Sequence, residues 1–307
     1  MADIGRLRDQ YRGVMLGMAA GDALGATVEF QPPEQIAASY GVHRAIVGGG
    51  WLNLAPGEIT DDTQMALCIA RSIVARGGFD PDDIAARFVE WYRSDPKDIG
   101  NTTRHALALL DAGESWEDAG RLTHEAMRPR DASNGSIMRC APVALATWRD
   151  PEMNARHTAD SSRITHANPL CADACVALNA ALAALLANPQ ADLIAEASAA
   201  ASLDEVRAAA EAAREATPDT LRAGGYVLDT LTAALWAVAS HDSPDDAIVA
   251  AVNLGNDADT TGAVAGALAG ARWGAAALPA RWLDVLVDRD ELTGVADALL
   301  ALGQRAL

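Results

Sequence analysis

The chain has 307 residues, half of them apolar and only 5% aromatic, and carries 42 acidic against 24 basic side chains for a net charge of −18. That surplus of acid argues against a nucleic-acid partner, whose phosphates require a basic face, and against an anionic membrane surface. It leaves room for a phosphate-bearing substrate, because bound cations reverse the local sign. Alanine, the best intrinsic helix former, dominates many segments, so a mostly helical chain with a sizeable core is expected. The four cysteines include Cys171 and Cys175 one helical turn apart and form no CxxC pair. Buried, reduced thiols in a cytoplasmic protein are the expectation. The first residues lack the apolar core of a secretory signal, so no leader is expected. No uncharged stretch is expected to reach bilayer-spanning length: the best run, from Gly262, breaks at Arg272.

In chain order, residues 5–22 read as a helix with Leu7, Tyr11, Val14, Met15 and Met18 on its apolar face. Gly13, Gly17 and Gly21 make a smooth stripe at four-residue spacing, and Gly262, Gly266 and Gly270 repeat it near the other end. Interior glycine costs a helix about 0.5–1 kcal/mol against alanine, so two such stripes imply close backbone packing unless the spacing is chance. Residues 31–59, with Pro32-Pro33, Gly48-Gly49-Gly50 and Pro56-Gly57, exclude a long regular element. Helices are then predicted over 61–77, 81–94, 100–112, 116–127, 135–147, 170–187, 190–201, 203–215, 226–240, 244–253, 260–272 and 289–303. Pro81, Pro151 and Pro244 mark first-turn positions. No β alternation and no linker is evident, so residues 1–307 are expected to form one all-α domain, a bundle.

Two acidic clusters stand at predicted helix starts almost two hundred residues apart. The first is Thr60-Asp61-Asp62-Thr63, the second Asn256-Asp257-Ala258-Asp259-Thr260-Thr261. Capping accounts for one acid at a helix start, as Asp61 followed by Gln64 shows, but not for adjacent carboxylates that repel one another. Brought together by the glycine stripes, their oxygens would suit two hard cations, Mg²⁺ or Mn²⁺, rather than zinc. The alternative is a pair of ordinary helix caps. Three further turns precede helices. Asp98–Thr103 reads as a cap, Ser133–Arg139 as a cap or an anion-binding turn, and His166 as a cap or a substrate contact.

These segments, with Gly21–Phe30, together resemble the ADP-ribosylglycohydrolase family nearly from end to end, most closely its bacterial dinitrogenase-reductase-activating branch. The resemblance implies an all-α orthogonal bundle with a binuclear metal cleft that removes ADP-ribose from a modified side chain, arginine in that branch. It implies Thr60, Asp61, Asp62, Asp257, Asp259 and Thr260 as ligands of two divalent cations, with Glu29 beside them and Asp98 handling protons. Asn134, Gly135, Ser136 and Ile137 would follow the diphosphate, with His166 nearby and Tyr226 beside the nucleotide. The expected partner is an ADP-ribosylated protein met by a monomer, with no nucleic acid and no membrane insertion. Hydrolysis of another linkage, such as serine, DNA or a small ADP-ribosyl compound, and a non-catalytic ADP-ribose-binding scaffold remain open alternatives. The chain departs from the family in its bulkier run Arg130–Ser136 and in Ala167-Asn168 after His166.

Overall fold

A computed structural model of the chain describes residues 4–305. It is all-α. The helices are α1 (Ile4–Gly25), α2 (Pro33–Tyr40), α3 (Asp61–Arg76), α4 (Pro81–Arg93), α5 (Asn101–Asp111), α6 (Trp116–Met127), α7 (Ala141–Thr147) and α8 (Pro151–Arg163). They continue as α9 (Pro169–Ala187), α10 (Leu193–Ala200), α11 (Asp204–Ala212), α12 (Val227–Ala239), α13 (Pro244–Val252), α14 (Ala258–Trp273), α15 (Ala280–Leu283) and α16 (Arg289–Arg305). Among the described residues there is no strand, only isolated bridges that join Gly49 to Leu54 and Ser133 to Tyr226.

The centre of the molecule is the antiparallel pair α1 and α14. A Cβ on Gly13, Gly17 or Gly21 would land on the carbonyl oxygen of Gly270, Gly266 or Gly262 respectively. The stripes are therefore not an accident of composition. Six interior glycines cost about 3–6 kcal/mol of helix propensity, which only backbone-to-backbone contact offsets. The contact continues to Gly25, whose missing Cβ makes room for Ala258 and Asp259. The end of α1 is thus pressed onto the first turn of α14, and both helices are buried along most of their length.

Three expectations are corrected. Residues 31–59 contain α2, a short helix with Pro33 in its first turn and only Ile36 buried. The segment 135–147 is not one helix: a 3₁₀ turn at Ile137–Arg139 and α7 meet at Cys140, where Pro142 lacks the N–H needed to continue the ladder. Beyond its marked Pro151, α8 was not foreseen, because its buried face is polar. Asn154, Thr158, Ser161 and Ser162 occupy the helical spacing that apolar residues ordinarily take. Thr158 donates to Asn154 Oδ1 (3.1 Å), and Asn179 of α9 donates to Thr158 Oγ1 (2.8 Å).

The expected lack of a bilayer-length apolar stretch does not hold for α9. This 19-residue helix has a mean hydropathy of 2.0, and 67% of its apolar window is buried inside the fold. It packs against α8, α10 and α14.

Candidate active site

The acidic residues converge at a cleft of about 570 Å³ onto which the first turns of α3, α5 and α14 open. Asp61 and Asp62 come from α3, Asp257 and Asp259 from α14, Asp98 from the loop before α5, and Glu29 from the turn after α1. Helix N-termini carry unsatisfied N–H groups and a positive dipole end, which favour such acids. A hollow of about 610 Å³ between α8, α9 and α10 is lined mainly by alanine, with Glu152 and Glu196 as its only acids.

Asp22 organises the α3 turn. Its buried carboxylate accepts from the Thr60 amide (3.1 Å to each oxygen), the Thr60 hydroxyl (2.9 Å), the Thr63 amide (3.2 Å) and the Thr63 hydroxyl (2.5 Å). A side chain of α1 therefore caps α3 from a distance. This frees Asp61 and Asp62 from capping and turns them toward the cleft. The sequence marks Asp22 only as an acid in the segment Gly21–Phe30, one residue after the third glycine of the α1 stripe, and gives it no role.

Glu29, Asp257 and Asp259 each place a carboxylate oxygen within 4.8 Å of the other two, close enough to share one cation. Asn134 donates to Asp257 Oδ2 (2.9 Å) and Thr230 Oγ1 (3.0 Å), and Trp51 Nε1 donates to Glu29 Oε2 (2.5 Å). Asp62 Oδ1 is buried with no hydrogen-bond partner. A buried carboxylate oxygen without a donor costs on the order of 1–3 kcal/mol or more, which a bound cation removes. The donor set is wholly oxygen, as Mg²⁺ and Mn²⁺ require.

Burial dominates the electrostatics. It pushes Glu29 up to about 8, with the charges of Asp98, Asp257 and Asp61 adding to the rise and the Trp51 hydrogen bond opposing it. Burial likewise raises Asp61, Asp62 and Asp259 well above the usual carboxylate range, and neighbouring acids raise them further. Asp98 is raised by burial too. Asp22 reaches about 6, because burial outweighs the four donors that favour its charge. Adjacent desolvated carboxylates either hold protons or hold cations.

The opposite wall is the turn around Gly135. His166 is fully buried, and burial holds it far below the ordinary imidazole range, hence neutral. Its Nδ1 pairs with Thr165 Oγ1 (2.7 Å) and its Nε2 with Ser133 Oγ (2.9 Å). Gly135 is required here: a Cβ would sit 2.8 Å from His166 Cε1 and 3.1 Å from Thr103 Oγ1. Beneath the cluster lies Arg139, fully buried, with its guanidinium on Thr165 Oγ1 (2.6 Å) and over the Phe88 ring (4.6 Å). Burial lowers it to about 10, so it keeps its charge at neutral pH and faces Asp61 electrostatically. Arg130, on the bulky run after α6, is the one cationic side chain on the cleft lining among the described residues. Neither arginine's role was visible in the chain alone, because charge at a helix end or in a loop ordinarily means solvent.

Of the residues expected at the site, Glu29, Asp61, Asp62, Asp98, Asn134, Gly135, His166, Asp257, Asp259 and Thr260 line the cleft. Thr60 stands behind it, its hydroxyl engaged by Asp22 and Asp62. Ser136 and Ile137 turn into the core, where Ser136 Oγ accepts from Ser162 Oγ (2.9 Å). Tyr226 is 41% exposed and meets this wall through its backbone bridge to Ser133, while the adjacent Gly225 carbonyl accepts from the Asn134 amide (3.1 Å).

Residues 4–306 match the ADP-ribosylglycohydrolase family. The chain is 39% identical over 306 residues to the ADP-ribosyl-[dinitrogen reductase] glycohydrolase of Rhodospirillum rubrum, covering 96% of this chain and 97% of that one. It is 35% identical to the ADP-ribosylarginine hydrolase Tri1 of Serratia proteamaculans, covering 95% and 79%. A solved structure, an ADP-ribosylglycohydrolase-related protein complex, superposes with a TM-score of 0.83 at 37% identity over 97% of this chain and 99% of that one. The all-α fold and the acid-lined cleft are those of a glycohydrolase. The chain belongs to the ADP-ribosylglycohydrolase family.

Proposed function

We propose that the chain is a divalent-metal-dependent hydrolase that releases ADP-ribose from a modified arginine side chain of a protein. The observation that carries this reading is the meeting of buried carboxylates from α3 and α14 in one cleft, with Asp62 Oδ1 left without a donor. Thr60, Asp61, Asp62, Asp257, Asp259 and Thr260 would hold two Mg²⁺ or Mn²⁺ ions. Bound divalent cations supply Lewis acidity and activate water.

The chain's own groups do the rest. Asp98, raised by burial, is suited to hold and move protons as the ribose–arginine C–N bond breaks and water adds to the sugar carbon, with Glu29 beside the cations. The Asn134–Gly135 turn, rigidified by neutral His166, Ser133 and Thr103, forms a wall for the diphosphate, and Arg130 offers it the cleft's one positive side chain. Arginine as the acceptor is supported by the likeness to the ADP-ribosylarginine hydrolase of Serratia. The four free, buried thiols suit a reducing, cytoplasmic setting.

The test is release of ADP-ribose from ADP-ribosylarginine by chelator-stripped protein, with and without added Mn²⁺. Release restored by Mn²⁺ and lost in Asp259→Ala is expected. Release that needs no metal, or that survives Asp259→Ala, sinks the reading.

A further inference from the structure

Trp51 is 54% exposed, yet its indole is tied to the site. It projects from a turn of three consecutive glycines, Gly48, Gly49 and Gly50, at φ of +69°, +84° and +65°, closed by paired hydrogen bonds between Gly49 and Leu54 (2.8 and 2.9 Å). A Cβ on Gly50 would strike the Ala26 carbonyl, so the turn is pressed onto the segment that carries Glu29. The ring rests against Phe30, centroids 5.4 Å apart, and its N–H meets Glu29 Oε2 at 2.5 Å. Core packing does not account for a half-exposed tryptophan that ends on a buried carboxylate.

Glu29 needs such a partner. Its carboxylate has Asp257 and Asp259 within 4.8 Å, all three acids. Without an anchor, repulsion would swing it outward. With Oε2 held by the indole, the carboxylate is fixed beside Asp257 and Asp259. Groups behind a metal ligand commonly fix its orientation this way, and their removal typically costs about 10–100-fold in metal affinity.

We propose that Trp51 is a positioning residue: its indole N–H holds Glu29 in place as the third oxygen donor to the cation corner formed with Asp257 and Asp259. The proposal rests on reading the cleft as a cation site. Its test is calorimetric titration of the full chain with Mn²⁺ alone, for wild type, Trp51→Phe, Glu29→Ala and the double variant. Phenylalanine keeps the ring on Phe30 and removes only the donor. Trp51→Phe should bind Mn²⁺ about tenfold more weakly. In the Glu29→Ala background, which has no acceptor for the indole, the same change should cost nothing further, which a general packing role would not produce. Equal affinity of Trp51→Phe and wild type, or an undiminished loss in the Glu29→Ala background, overturns the proposal while leaving the site reading intact. No Mn²⁺ binding by wild type overturns both.

Discussion

Phe30 and Asn256 both sit in the left-handed backbone region, at φ of +61° and +56°, and the Phe30 amide donates to the Asn256 carbonyl at 2.5 Å. The Asn256 amide returns the contact one residue on, to the Gln31 carbonyl at 2.8 Å. This two-bond clasp holds Glu29 beside Asp257. Asparagine tolerates the left-handed region better than alanine, and glycine adopts it freely. Asn256→Ala should lower stability by about 1 kcal/mol in urea unfolding, while Asn256→Gly should stay within about 0.5 kcal/mol of wild type. Equal effects of the two would show that backbone strain is not the cause.

The seam between α1 and α14 predicts a sharp contrast among glycine substitutions. Gly17→Ala drives a Cβ into the Gly266 carbonyl, whereas Gly78 has open space around it. Forced separation of packed elements costs about 1–3 kcal/mol or more, so Gly17→Ala should lose at least that and Gly78→Ala almost nothing. Thermal melts of both variants decide the point. Gly17→Ala should also weaken Mn²⁺ binding, because the seam sets the distance between the two acid pairs.

Asp22 lies outside the cleft lining, yet it fixes the turn that carries Asp61 and Asp62. Asp22→Asn puts an N–H₂ where two amides and two hydroxyls donate, so at least one donor loses its acceptor. A loss of about 2 kcal/mol in stability and about 10–100-fold in Mn²⁺ affinity is expected. Calorimetry showing wild-type affinity would remove Asp22 from the site.

Glu29, Asp61, Asp62 and Asp259 titrate higher in the metal-free fold than in the unfolded chain. Between about pH 4, the ordinary carboxylate value, and about 8 for Glu29, the folded state therefore binds more protons than the unfolded one. The contribution of Glu29 to stability is fully present below about pH 4 and fades as pH rises through about 8. Bound cations replace those protons. The gap between melting temperatures with and without Mn²⁺ should widen steadily from pH 6 to 8, with protons released on binding. A gap that narrows over this range contradicts the picture.

Arg130 supplies a test of the substrate wall. If it meets the diphosphate in the ground state as well as during reaction, Arg130→Ala should raise KM about tenfold and leave kcat nearly unchanged, with Arg130→Lys in between. An unaltered KM places the diphosphate elsewhere.

The parts of this structure legible in the chain are those with a strong local signature. Helix starts at Pro81 and Pro244, the all-α class and the approach of the two glycine stripes all follow from propensity and spacing. So does the meeting of Asp61 and Asp62 with Asp257 and Asp259 at one cleft. What was not legible depends on long-range contact. Asp22 looks like a helix-end acid until the fold brings Thr60 and Thr63 onto it. Ser136 and Ile137 follow the cleft-lining Asn134 and Gly135 but turn into the core, and spacing alone does not reveal that orientation. Arg139 gives no sign in sequence that it will be entombed beneath the acids.

The polar stripe of α8 has one more effect. Ser162 links it to Ser136 and to the His166 carbonyl, so the Gly135 wall of the cleft hangs from matched donors and acceptors rather than from oily side chains. Grease lets a helix slide by a fraction of a turn at little cost; a ladder of paired hydroxyls and amides fits in one register only. The catalytic floor is thereby keyed like a lock tumbler, aligned or not aligned, with no intermediate setting.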